Sequence, residues 1–179
     1  MLCRAKPCWH VNSCRNSKRF GLNATGTLAV DGAGPEESIR ASEAGQMAKQ
    51  FAIGSALLLK YFMRLLRRDR QSVFASLSAR VGSIGDNRLG GWISYRAAKA
   101  AQNQIIRTAA IEIARTNPQA IVVALHPGTV DTDLSQPFSK GRDRFTPDHS
   151  AVRLLETING LDQDQTGQFF AYDGSAIEW

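Results

Sequence analysis

The chain has 179 residues, of which 43% are hydrophobic and 21% charged, and its formal net charge at pH 7 is +6. This size and composition indicate one soluble globular domain that can bury a sizeable apolar core. No uncharged apolar stretch reaches the roughly 18 residues of a membrane-spanning helix, because Lys60 and Arg64 interrupt the most apolar segment.

The positive charge is concentrated at the N-terminus. Residues 1–20 contain five Lys or Arg residues and no acidic residue, so the rest of the chain is close to neutral. A neutral body offers no basic face for a nucleic acid, and we expect none to bind. We predict a basic tail over residues 1–19 and a single folded domain over 20–179.

The cysteines also lie in this tail. Their spacing fits no zinc-binding pattern, so the sequence predicts no metal site. An odd number of cysteines without an apolar signal sequence favours the reducing cytoplasm. The residues concerned are Cys3, Cys8 and Cys14.

In the first half of the chain, four features follow the tail. An apolar run, "FGLNATGTLAV", predicts a strand and is followed by a Gly/Pro/acidic linker over 31–38. A helical pattern covers about 43–66, and "QSVFASLSA" (71–79) predicts a buried strand. A glycine-rich loop over 80–92 completes this half.

The second half alternates helices and strands. Residues 94–117 predict a helix that stops before Pro118, and "AIVVALHPG" (120–128) predicts a buried strand ending in a turn. Thr146 and Pro147 supply the start signals of a helix that ends at Gly160, and residues 167–174 predict a last strand. The expected apolar stripe of the first of these helices consists of Ala98, Ala101, Ile105, Ala109 and Ile113.

This alternation of strands and helices predicts an α/β fold with a parallel sheet and crossover helices. Ligands of such sheets bind beyond the carboxyl ends of the strands. Asn23, Ser78 and the Pro127-Gly128 pair all fall at predicted strand ends. The sequence therefore predicts a site at that edge of the sheet.

Tyr95 and Lys99 lie four residues apart in the predicted helix and share one of its faces. A free tyrosine has a pKa of about 10, so roughly one molecule in a thousand is phenolate at pH 7. A nearby ammonium group would lower the pKa of Tyr95 and make it a usable general acid and base. The alternative is a chance spacing on a helix surface.

Hydroxyl groups precede this pair, and a Pro-Gly turn follows it. Ser78 ends a predicted strand and Ser83 lies in the loop after it, where either hydroxyl could bind a substrate oxygen. A strand-end serine, then Tyr-x-x-x-Lys, then "HPGTVDT", resembles the short-chain dehydrogenase/reductase family. The segments "SARVGSIGDNRLGGW", "SYRAAKAA" and "ALHPGTVDT" are similar to its C-factor or sniffer-type carbonyl reductase branch.

The resemblance implies a Rossmann-type doubly wound sheet, of which strands four to seven are retained, and an NADP or NAD cofactor that exchanges hydride with a carbonyl or alcohol substrate. It implies that Tyr95 is the acid/base and that Lys99 lowers its pKa and binds the nicotinamide ribose. A homodimer through the two long helices is also implied. The remaining implied cofactor-binding residues are Asn23, Gly26, Pro127, Gly128, Thr129, Val130 and Thr132.

The serine assignment stays open, since many relatives carry two serines where this chain has Ser78 and Ala79. We favour Ser78, with Ser83 as the alternative. The sequence also departs from the family pattern in having no T-G-x-x-x-G-x-G motif and no asparagine in the helix segment "QFAIGSALLLK". These departures leave a second hypothesis, a catalytically inactive, N-terminally shortened relative that at most dimerises. In either case we expect the "FGLNATG" strand to be an exposed sheet edge that favours marginal stability or self-association.

Overall fold

The computed structural model describes residues 19–23, 45, 47–132 and 144–179. Four strands form one sheet in the order β1-β2-β3-β4, and each pairs with its neighbours in parallel. This arrangement confirms the predicted α/β class and its parallel sheet. The strands are β1 (Arg19–Asn23), β2 (Ser72–Leu77), β3 (Ala120–His126) and β4 (Phe169–Ala171).

The sequence-predicted tail lies outside the described residues except for Arg19, which begins β1. Within the described sheet, β1 is an edge strand and pairs with β2 alone. This position agrees with the expected edge, while the self-association expected from it stays a prediction. The predicted linker over 31–38 lies outside the described residues.

Within the described residues, three long helical segments connect or flank the strands. They are α1 (Gly54–Phe62), α2 (Ile93–Thr116) and α3 (Pro147–Gly160). The side chain of Thr146 accepts a hydrogen bond from the backbone N–H of His149, and Pro147 stands at the first position of α3. These are the start signals read from the sequence, and the helix ends at the predicted Gly160.

The sheet is covered on both faces because its side chains alternate. Phe74, Val122 and Phe169 point to the face that holds α1 and α2 and pack there with Ile106. The opposite face carries Val73, Ala75, Ile121 and Val123 against Leu154 and Ile158 of α3. Both faces of β2 and β3 are buried, which explains why these strands read as continuous apolar runs.

The long helix predicted over 43–66 is not continuous. Residues Ala48–Ile53 form a π-helical segment, α1 follows it directly, and a short 3-10 turn, Met63–Leu65, ends the run. The backbone N–H of Gly54 bonds to the carbonyl of Lys49, five residues earlier, which is the spacing of a π-helix. The wider turn places Phe51 against α2, where its side chain is 3% exposed.

The buried face of α2 differs from the predicted apolar stripe. Ala98 and Ile113 are buried as expected, but Ala101 is exposed, and Ile105 and Ala109 are half-buried against the core from the side of α1. The face turned to the sheet holds three polar residues, Lys99, Gln102 and Asn103. An apolar periodicity could not find them, because the side chains that meet the end of β2 are polar.

Candidate active site

The functional site predicted from the sequence lies where β2 and β3 end beneath the first half of α2. We call its five residues the strand-end cluster: Ser78, Tyr95, Lys99, Gln102 and Asn103. Lys99 and Gln102 both donate hydrogen bonds to the carbonyl oxygen of Leu77, at 3.3 and 3.0 Å. Gln102 also donates to the Ser76 hydroxyl at 2.9 Å. These bonds fix the helix over the strand end.

The loop before α2 precedes the helical turn that carries Tyr95, which is half-buried. Gly90 and Gly91 have φ values of +65° and +72°, and Trp92 follows at +49°. The guanidinium of Arg96 donates to the carbonyls of both glycines and of Val81, which holds this left-handed turn in place. The first turn of α2 is therefore hydrogen-bonded to the loop that precedes it through Arg96.

The Tyr95 ring packs edge-on against Phe51, with 5.7 Å between the ring centres. Burial raises the pKa of Tyr95 to about 12. This direction is the reverse of the prediction that Lys99 lowers the pKa of Tyr95. Burial outweighs the attraction because it disfavours the phenolate, and Lys99 Nζ lies 6.0 Å from the centre of the Tyr95 ring. Among the described residues, none hydrogen-bonds to the Tyr95 hydroxyl.

Lys99 is 4% exposed, and its ammonium group lies inside the cluster. Nζ donates to the Leu77 carbonyl and, at 3.0 Å, to Gln102 Oε1. It also lies 3.9 Å from the centre of the Phe51 ring. Burial lowers the pKa of Lys99 to about 7, so the charged and neutral forms are both populated near neutral pH. A lysine with this pKa can exchange a proton under physiological conditions.

The two candidate serines have different surroundings. Ser78 is buried at the end of β2, and its hydroxyl donates to Asn103 Oδ1 at 2.5 Å. The Ser83 hydroxyl donates to the carbonyl of Glu178 and accepts the backbone N–H of Asp86 at 3.0 Å. Ser78 therefore belongs to the strand-end cluster, whereas the contacts of Ser83 tie the loop to the last residues of the chain.

The turn after β3 is held by its neighbours. Gly128 has a φ of +79°, and a Cβ added there would lie 2.7 Å from the Phe145 ring. The Ser150 hydroxyl donates to the Pro127 carbonyl at 2.8 Å, and Thr129 accepts from the backbone N–H of Phe145. Val130 forms a bridge with Phe145, and Thr132 is exposed. These residues follow the strand next to β2, as predicted.

Asn23 ends β1 opposite Ser76 of β2, so its backbone also lies at the carboxyl edge of the sheet. Gly26 lies outside the described residues. The structure thus brings Ser78, Tyr95 and Lys99 to one edge with the Pro127–Val130 turn and Asn23.

Sequence reasoning missed Phe51, Gln102, Asn103 and His126. Gln102 and Asn103 lie three and four residues after Lys99, a spacing that could have placed them on its face. His126 ends β3 with a buried Nδ1 that has no hydrogen-bond partner in the part of the chain that the structure describes. Burial, then the positive charge of Arg80, lowers the pKa of His126 to about 4, so the imidazole is neutral near pH 7.

Metal-binding groups and membrane-spanning helices are both lacking among the described residues. Across residues 19–23, 45, 47–132 and 144–179, no group of three or more His, Cys, Asp or Glu residues could hold a metal ion. None of the helices in that part of the chain has the length and hydropathy needed to cross a membrane.

Comparison with known proteins shows the family of this chain. Residues 29–143 match the model of the short chain dehydrogenase family. The chain belongs to this family. It is 34% identical to C-signal of Myxococcus xanthus over 138 residues, which cover 74% of this chain and 78% of that protein. The resemblance read from the sequence is therefore confirmed.

The fold is shared with solved carbonyl reductases. Carbonyl reductase Sniffer of D. melanogaster superimposes with a TM-score of 0.78 at 24% identity over 89% of this chain and 66% of its own. The NADPH-bound carbonyl reductase from chicken fatty liver gives 0.74 at 24% identity, over 88% and 64%. These likenesses confirm a Rossmann-type fold. The chain spans 45% to 78% of the curated relatives it matches.

Proposed function

We propose that this short-chain dehydrogenase is an NADP- or NAD-dependent oxidoreductase that acts on a small carbonyl or alcohol substrate. The observation that carries the proposal is the position of the Lys99 ammonium. It is bound to the carbonyl that ends β2, one helical turn from Tyr95 and one residue from Ser78 along the strand. An acid/base, a cation and a hydroxyl at one strand end are the groups that carbonyl reduction needs.

The roles follow from the chemistry of each group. In reduction, the Ser78 hydroxyl turns from Asn103 to the substrate oxygen, and Tyr95 donates its proton to that oxygen as negative charge develops. Because its pKa is raised, Tyr95 is protonated near pH 7, which is the form that a general acid needs before the reaction. Lys99 stabilises the phenolate that remains, and the reverse proton transfer serves alcohol oxidation.

The residues at this edge fit the nicotinamide end of such a cofactor, which supplies or accepts the hydride when bound. A cation and a hydroxyl are suitable partners for a ribose, and the turn after β3 is held in place by Ser150 and Phe145. We propose Lys99, Tyr95 and the Pro127–Val130 turn with Thr132 as this end of the site. Asn23 and Gly26 are proposed for the adenosine side.

The test is reduction of a panel of aldehydes and ketones, followed by loss of NADPH or NADH absorbance. We expect Tyr95→Phe to lower kcat/KM by about a hundredfold or more, which is the usual contribution of a general acid. Tyr61→Phe is the matched control, because Tyr61 lies on α1 and is 64% exposed. Equal rates in the wild type and Tyr95→Phe contradict the proposal, as does the lack of binding of either nucleotide.

The second candidate is a non-catalytic protein that dimerises through α1 and α2, and an exposed apolar face favours it. A groove between these helices is lined by Ala56, Leu59, Met63, Ile105 and Ala109, and also by the polar or charged Lys60, Gln104, Thr108 and Glu112. The large side chains of Leu57 and Tyr61 on α1 are exposed beside it. Sedimentation of the wild type against Leu57→Glu tests this face, and a dimer that becomes a monomer supports it. An active enzyme that dimerises here would support the face as an interface and contradict the non-catalytic candidate.

A further inference from the structure

Phe51 is the residue that makes contact with both Tyr95 and Lys99, yet it belongs to neither the catalytic motif nor α2. Its ring meets the edge of Tyr95 at 5.7 Å and lies under the Lys99 ammonium at 3.9 Å. The side chain is 3% exposed and packs with Met47 and Ala98. Phe51 is therefore a buried neighbour of both members of the pair.

The hydrogen bonds of Lys99 leave one direction for this ring. An ammonium group has three N–H donors. Two of them reach Leu77 and Gln102. A cation within about 6 Å of a ring centre is attracted to the ring face, and the distance of Nζ from the Phe51 ring is well inside that limit. The ring face is thus a third partner of the ammonium group, beside the two hydrogen bonds.

The backbone around Phe51 explains how an aromatic side chain comes to this place. Phe51 lies in the π-helical segment Ala48–Ile53. The wider turn of this segment gives its side chains other directions than a regular α-helix would. Such segments occur frequently at functional sites. The chain passes into regular helix at Gly54, so the irregularity is confined to the turn that carries Phe51.

We propose that Phe51 is a positioning residue for Lys99, which holds the ammonium group with its ring face and keeps it directed at the end of β2. The contact has two opposing effects. The ring excludes water, which disfavours the ammonium form, while its face attracts the cation. Exclusion of water dominates, and the pKa of Lys99 lies below its ordinary value as a result. The catalytic meaning of this role rests on the proposed function, but the contact itself does not.

The groups that face Lys99 allow this assignment to be tested. Tyr95 lies on the same helix, Gln102 is neutral, and His126 of β3 is near enough for the charge of Lys99 to lower its pKa. In the described part of the chain, no carboxylate contributes to the pKa of Lys99. A fall in the pKa of Lys99 upon substitution of Phe51 therefore reports the lost attraction of the ring face, because entry of water would raise this pKa.

The experiment follows Lys99 in the full-length chain by NMR of 13C- and 15N-labelled lysine, with its signal assigned by its loss in Lys99→Met. Phe51→Leu keeps the site apolar and removes the ring face. We expect the pKa of Lys99 to fall further, by about 0.5 to 1. Phe51→Tyr keeps the aromatic face, so we expect the pKa of Lys99 in this variant to equal the wild-type value. Phe62→Leu is the control, because it removes a ring at the end of α1 that does not contact Lys99.

A second variant serves if Phe51→Leu does not fold. Site-specific incorporation of trifluorophenylalanine at position 51 keeps the shape of the ring and weakens its attraction for cations, so the pKa of Lys99 should again fall. An unchanged or raised pKa of Lys99 in these variants overturns the proposal. So does a wild-type Lys99 that titrates at the ordinary value for lysine.

The pH profile separates this inference from the proposed function. In an active enzyme, the acidic or basic limb governed by Lys99 should move with its pKa in Phe51→Leu and stay in place in Phe62→Leu. A pKa that moves in a chain without activity supports Phe51 as a positioning residue and contradicts the proposed function. Activity together with an unchanged pKa of Lys99 supports the proposed function and contradicts Phe51 as a positioning residue.

Discussion

The hydroxyl of Ser78 donates to Asn103 Oδ1 at 2.5 Å, and both residues are buried between the end of β2 and helix α2. The serine proton is therefore engaged before any substrate arrives. Reduction of a carbonyl requires this proton to be released toward the substrate, so the Asn103 contact competes with the proposed role of Ser78.

This bond should be measurable as a coupling in stability. Ser78→Ala and Asn103→Ala each leave a buried polar partner without its hydrogen bond, which costs about 1 to 3 kcal/mol. The double variant should lose less stability than the sum of the two single losses. We expect this difference, the coupling energy, to be about 0.5 to 1.5 kcal/mol. Urea denaturation of the four proteins measures it.

The matched control for this cycle is Gln104→Ala. Gln104 is exposed on the other side of α2 and bonds to Thr108. Its combination with Ser78→Ala should be additive. Additive losses in the Ser78 and Asn103 cycle would contradict the buried bond.

Tyr95→Phe should separate stability from activity. Within the described residues the Tyr95 hydroxyl has no hydrogen-bond partner, so its removal should change the free energy of unfolding by less than about 0.5 kcal/mol. Activity should fall by about a hundredfold or more if Tyr95 is the general acid. Thermal melting and steady-state kinetics check the two halves, and a large loss of stability would indicate a structural hydroxyl.

Stability should rise with pH because of Lys99. Its pKa is about 7 in the folded chain and about 10.5 when exposed. Between these values the unfolded chain binds the extra proton, so unfolding becomes less favourable as the pH rises from 7 toward 9.5. The gain is about 1.4 kcal/mol for each pKa unit at most. Above about pH 10 the raised pKa of Tyr95 acts in the opposite direction.

Denaturation at a series of pH values in wild type and Lys99→Met tests this effect. The rise between pH 7 and 9.5 should be smaller in Lys99→Met. Lys60→Met is the control, since Lys60 is exposed on α1. Identical slopes in all three proteins would mean that Lys99 titrates normally.

Gly128 should not tolerate a side chain. Alanine there combines a φ of +79° with a Cβ that would lie 2.7 Å from the Phe145 ring. We expect Gly128→Ala to lower stability by about 1 to 3 kcal/mol. Gly160→Ala is the control, because nothing lies within 4 Å of a Cβ at the end of α3. That variant should leave the melting temperature unchanged or raise it.

Much of the fold could be predicted because local signals determine it. Thr146, Pro147 and Gly160 mark α3 by capping chemistry that does not depend on the rest of the chain. β3 was evident as a β-branched run because parallel strands are buried on both faces. The end of β2 and the start of α2, which were predicted in the same way, bring Ser78 and Tyr95 to one edge of the sheet.

The internal arrangement of the site could not be predicted in the same way. The pKa of Tyr95 depends on burial by Phe51, which is 44 residues away and reaches Tyr95 through an irregular turn. The polar face of α2 depends on the Leu77 carbonyl, which is a property of the backbone and leaves no trace in the sequence. Spacing alone predicted that Tyr95 and Lys99 share a helix face, and Lys99 Nζ lies 6.0 Å from the Tyr95 ring centre. It also predicted a lowered pKa for Tyr95, whereas burial raises this pKa.

The Leu77 carbonyl accepts hydrogen bonds from Lys99 and Gln102 together. One backbone oxygen is thus the shared hydrogen-bond acceptor of two side chains on successive turns of α2. A substitution that tilts this helix, even far from the cluster, would displace both at once. Redesign of the proposed site should therefore leave α2 and the end of β2 unchanged as one unit, and vary the loops around them.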